Sequence, residues 1–86
     1  MSGAKLYKVD GTVEEIAPEN CTDFMVHELH KHINGYFTFV HLPDGRVGVV
    51  DEEAMWKGKK HNMQASAILG QHLLGDIIIC PGSMLK

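Results

Sequence analysis

The run Met25-Val26-His27-Glu28-Leu29-His30-Lys31-His32 places three histidines and a glutamate within six positions. Imidazole and carboxylate are the usual ligands of a catalytic zinc ion. A zinc-protease helix needs histidines at i and i+4, so that both rings lean toward one ion from one face. Here the second histidine comes at i+3, and Lys31 stands where the ligand would be. On a helix winding about 100° per residue, His27 and His30 diverge by roughly 60° and His32 lies roughly 160° from His30. The three cannot converge on one metal. The expectation is a helix with a solvated, histidine-rich face, holding no metal and no cofactor.

The second cluster is Trp56-Lys57-Gly58-Lys59-Lys60-His61. Lysines beside an aromatic ring can grip a phosphate backbone while a base stacks on the ring. Trp56, Lys57, Lys59, Lys60 and His61 are therefore candidate nucleic-acid contacts. Against this, Asp51, Glu52 and Glu53 precede the lysines and offset their field, and the net charge is −3 with histidines neutral. The competing reading is a solvated loop whose Trp56 plugs the edge of the core. No other reaction apparatus is visible. There is no Cys-x-x-Cys, no phosphate-binding glycine loop and no Gly-x-Ser-x-Gly elbow. Glu14 and Glu15 are neighbours in a strand and point to opposite faces, and Ser66 falls inside a helix. No catalytic residue is assigned, and the chain is not expected to be an enzyme.

The elements that would position these groups are readable from periodicity. Residues 4–9 and 12–16 read as strands joined by a two-residue turn at Asp10-Gly11. Thr22 can cap a helix over 23–33, whose Met25, Val26, Leu29 and Ile33 recur at helical spacing before Gly35 ends it. A second hairpin follows, 36–42 and 46–50 around Pro43-Asp44-Gly45. Asn62 can cap a helix over 63–73, with Ala65 small enough for it to lie close on a sheet, and Gly75 at its end. Asp76 leads into a last strand over 76–80, and can itself cap or bond nearby amides. The order ββαββαβ implies an α+β fold, a five-stranded and largely antiparallel sheet with both helices packed on one face. The unbroken apolar run at 77–79 marks a strand that is central or covered on both faces.

A chain of 86 residues has room for one domain, 1–86, with 1–3 and 82–86 expected as flexible ends. No apolar run approaches the ~20 residues of a membrane span, and "MSGAKLYKVD" has no apolar signal core, which points to a cytoplasmic protein with no membrane contact. Cys21 and Cys80 fit that compartment as two free thiols.

Taken together, "KVDGTVEEIAPEN", "ELHKHINGY", "LPDGRVGVVDEE", Asn62 with Ala65, and "GDIIICP" over 75–81 resemble a small domain family of unknown function. Members of that family occur in bacteria and their phages, commonly on mobile elements. The resemblance runs over nearly the whole chain and departs in the first helix, where similar sequences carry mixed polar residues instead of histidines. It implies no established activity. The expectation is a non-catalytic protein-interaction module, an accessory of a mobile element or phage with an unidentified protein partner. The alternative is a nucleic-acid or nucleotide binder using residues 56–61.

Overall fold

The computed structural model describes residues 4–18, 24–33 and 35–85. The expected cap at Thr22, the first-turn Asp23 and the loop cysteine Cys21 lie outside the described residues. The elements are β1 (Ala4–Tyr7), β2 (Val13–Ile16), α1 (Val26–Ile33), β3 (Phe37–His41), β4 (Arg46–Asp51), α2 (Met63–Leu69) and β5 (Ile77–Pro81), followed by a single 3₁₀ turn, Gly82–Met84. The order is the expected ββαββαβ, and the class is α+β. The strands form one sheet in the order β2-β1-β5-β4-β3, and every neighbouring pair is antiparallel.

β5 is thus the central strand, and its alternate side chains enter two separate cores. Ile78 and Cys80 pack with Ala4, Leu6, Val49 and, from α1, Leu29 and Ile33. Ile77 and Ile79 pack with Val50 and, from α2, Ala65 and Leu69. The helices therefore cover opposite faces of the sheet, where one shared face was expected. The apolar run at 77–79 carries the reason, since a strand with no polar alternation loses less by being covered on both sides. Burial also pushes the Cys80 thiol up to about 11, so it behaves as a small hydrophobe.

Both hairpins turn the same way. Lys8 donates its N–H to the Thr12 carbonyl (2.9 Å) and accepts from Gly11 (3.1 Å); Leu42 donates to Arg46 (2.8 Å) and accepts from Gly45 (3.2 Å). Each loop is therefore three residues, not the two expected at Asp10-Gly11. The glycine, at φ 92° in both, occupies the left-handed position that such a loop requires. Asp10 and Asp44 brace the turns by accepting the N–H of Thr12 (2.8 Å) and Arg46 (3.1 Å).

α2 is shorter than its periodicity suggested. Gly70 takes the left-handed conformation (φ 71°) and donates to the Ser66 carbonyl, ending the helix one turn before Gly75. Ser66 then anchors the return, its Oγ accepting from Leu73 N–H (2.9 Å). α2 lies close on the sheet because Gly48 offers no side chain, and a Cβ built there would meet Leu69 Cδ1 at 2.6 Å. The C-terminal segment, expected as a loose end, is docked through residue 85. Gly82 donates to Gly45, Met84 accepts from Phe24, and Met84 and Leu85 pack on the α1 core.

Candidate functional site

The two sequence clusters meet different fates. On α1, His27 is exposed, as a solvated face requires, but His30 is half-buried. Its ring packs edge-on against Phe37 (5.0 Å between centroids) and Tyr36 (6.1 Å), and its Nδ1 lies 2.8 Å from the Gly35 carbonyl. His30 thus seals the C-terminal end of α1 against β3, a departure from the expected wet face. Glu28 is also buried (3% exposed), turning back so that its carboxylate accepts the Met25 N–H at 2.7 Å. That bond offsets the open start of the helix, whose Met25 and Val26 are exposed even though they continue the apolar stripe. Among the described residues, no three of the His, Cys, Asp and Glu side chains stand together as a metal site.

The basic segment is organised by a residue the sequence reading did not single out. Asp51, the last residue of β4, has a side chain with no exposed surface. It accepts the N–H of Glu53 (2.7 Å), and its Oδ2 pairs with both Lys57 Nζ (3.3 Å) and Lys59 Nζ. Burial alone would raise the Asp51 carboxyl, but the bonds from Lys59, the Glu53 N–H and Lys57 outweigh it and hold it below the ordinary carboxylate range. Lys59 reaches further, donating to the Ile33 carbonyl (2.9 Å) at the end of α1. One carboxylate therefore ties the loop to a strand and a helix. The signal for it lies in the chain: an acid at a strand end, followed six and eight residues later by lysines on a loop that can fold back.

Trp56 does not plug the core. It is 91% exposed and Met55 is 77% exposed, while Ala54 fills the place beneath. The turn that displays them is bonded throughout, Ala54 N–H to Asp51, Lys57 N–H to Glu53, Gly58 N–H to Met55 and Lys59 N–H to Ala54. Beside it lies a shallow hollow of about 170 Å³ whose lining mixes apolar Val50, Ala54, Met55, Leu73 and Leu74 with polar Asp51, Glu52 and His72. Lys60 and His61 are exposed, and the His61 ring stacks on His72 at 4.4 Å. Of the five candidate nucleic-acid contacts, Lys57 and Lys59 are thus drawn into ion pairs with Asp51.

The remaining motif residues are structural. Asn62 is buried and makes three bonds, accepting from Ala65 N–H (3.1 Å) as the cap of α2 and donating to the carbonyls of Tyr7 (2.8 Å) and Gly75 (2.9 Å). Asp76 accepts the Val9 N–H (3.1 Å) and so holds the first hairpin to the start of β5. Pro43, Asp44 and Gly45 form the second hairpin loop. A second hollow, of about 240 Å³, opens between His32, Lys59, Lys60 and Asp76. No helix among the described residues is long and apolar enough to cross a membrane. Comparison with family models, with characterised proteins and with solved structures finds no match to this chain.

Proposed function

We propose that the chain is a non-catalytic protein-interaction module, a cytoplasmic accessory of a mobile element or phage, and that Met55 and Trp56 anchor its partner. The carrying observation is Trp56, 91% exposed on a turn fixed by Asp51. Leaving an indole in water has a standing cost, whereas a large rigid ring held in place loses little entropy when a partner covers it. Trp is also enriched, with Tyr and Arg, at the energetic centre of interfaces. The buried polar side chains support the non-catalytic part, because Glu28, Asp51 and Asn62 each spend their polar atoms on structural bonds. The mobile-element setting is supported only by the resemblance of the sequence motifs. The nucleic-acid alternative is disfavoured by the same Asp51, which pairs with two of the three lysines it needs and offsets one of their charges.

Affinity capture from the native host, with the wild type and Trp56→Ala in parallel, tests the proposal. The exposed ring contributes little to folding, so the variant should stay folded yet hold the captured protein about 30-fold more weakly, the effect of a residue worth ~2 kcal/mol. Equal capture by both forms would sink the anchor. A salt-sensitive change in Trp56 emission on adding single-stranded oligonucleotide would put the nucleic-acid reading first.

A further inference from the structure

The sheet ends on two edges of different character, and neither the proposed Trp56 anchor nor its failure bears on them. In an antiparallel pair, residues alternate between those bonded to the neighbouring strand and those whose backbone N–H and C=O face away. Leu42 and Arg46 are a bonded pair, and Tyr36 accepts from Glu52, so the even-numbered residues of β3 bond inward to β4. Phe37, Phe39 and His41 therefore turn their backbone groups outward, where they meet no partner among the described residues. Proteins commonly protect such an edge with a lysine, a proline, a bulge or an inward charge. β3, Phe-Thr-Phe-Val-His, has no lysine, proline or acidic residue, and its register with β4 runs without a bulge.

We propose that the β3 edge pairs with the β3 edge of a second copy of this chain, antiparallel about a two-fold axis at Phe39. That register is the one in which all three outward-facing residues are used: Phe39 opposes its counterpart, and Phe37 opposes His41 in both directions. Each opposed pair exchanges two backbone hydrogen bonds, and the sheet runs on from one copy into the next. The side chains agree with the backbone. Phe37, Phe39 and His41 share one face and already form a row of rings, 5.6 Å and 6.4 Å apart, in which Phe39 remains 39% exposed. The second copy would continue that row with aromatic cross-strand pairs, which stabilise a sheet more than alanine pairs do. Charge selects the same edge. Pairing β2 with itself in the corresponding way would set Glu14 against Glu14, whereas nothing charged opposes anything across β3.

Sedimentation of the full chain over a range of concentrations tests the proposal, together with amide exchange of the same samples. A monomer–dimer equilibrium is expected. As the dimer fills, the amides of Phe37, Phe39 and His41 should become protected, while those of Thr38 and Val40 are protected throughout. Phe39→Lys would oppose two ammonium groups across the axis, and His41→Pro would remove an outward donor without touching a bond to β4. Each should weaken the dimer at least tenfold. A chain still monomeric at about 1 mM, where an association worth ~4 kcal/mol is half complete, would overturn the proposal. So would a dimer whose outward amides exchange as fast as the monomer's, or one that survives both substitutions.

Discussion

Replacing Asp51 by alanine probes the junction that holds β4, α1 and the 52–59 loop together. The wild-type carboxylate has no exposed surface and serves the Glu53 N–H and two ammonium groups. Removing one member of a buried ion pair while its partner stays costs about 3–5 kcal/mol. Lys57 and Lys59 are 34% and 21% exposed in their side chains, and Lys59 keeps the Ile33 carbonyl, so water recovers part of the loss. The expectation is about 2–3 kcal/mol, a large share of the ~4–13 kcal/mol typical of a domain this size. Urea unfolding should be followed by far-UV circular dichroism, because an indole already in water reports unfolding poorly. With a slope near 1 kcal/mol per molar, the midpoint should fall by about 2 M. A further check comes from pH. The folded Asp51 carboxyl lies below its ordinary value, so its stabilisation is complete above the usual carboxylate range, near pH 4, and disappears as pH falls through the folded value. The gap between wild type and Asp51→Ala should therefore close in acid. A midpoint shift under about 0.5 M, or a gap unchanged from neutral pH to pH 2, would refute the reasoning.

Two other substitutions test the packing. Gly48→Ala forces a methyl into Leu69 and should cost about 1–3 kcal/mol in urea unfolding. Adding Leu69→Ala opens that space, so the double variant should cost less than the two single changes summed. Asn62→Ala removes the cap of α2 and strands the carbonyls of Tyr7 and Gly75, for about 2–4 kcal/mol together. If Asn62→Ala costs no more than an ordinary cap, near 1 kcal/mol, the two carbonyl bonds carry no weight.

Most of the fold was legible because local rules sufficed for it. Asp-Gly turns, an asparagine before a helical stripe and an unbroken apolar strand each name their element without knowledge of the rest. The assignment of both helices to one face failed where a long-range choice was needed. The run Ile77 to Ile79 marks a strand that is central or covered on both faces, and by itself it does not say that each face takes one helix. The helix boundary at Gly70 is hidden in the sequence for a different reason. Leu73 and Leu74 continue the apolar spacing past a glycine that a helix can tolerate, and only the bonds from Ser66 to the returning chain show that it stops.

The candidate site was legible only in its inventory. The acidic run at 51–53 is expected to offset the field of the neighbouring lysines, and in the structure one acid, Asp51, has a fully buried side chain that pairs directly with two of them. The local effect is larger than the net charge suggests, since a paired lysine presents less potential to a phosphate than an exposed one and must break its pair to present more. The tryptophan beside them changes meaning in consequence. With two of the neighbouring lysines paired to Asp51, the proposed role of Trp56 as an apolar anchor rests on a broad exposed ring, a neighbouring exposed methionine and a turn with little freedom left to lose. On the proposed reading the ion pairs matter by subtraction, since one buried carboxylate offsets one positive charge on the segment that displays the exposed indole.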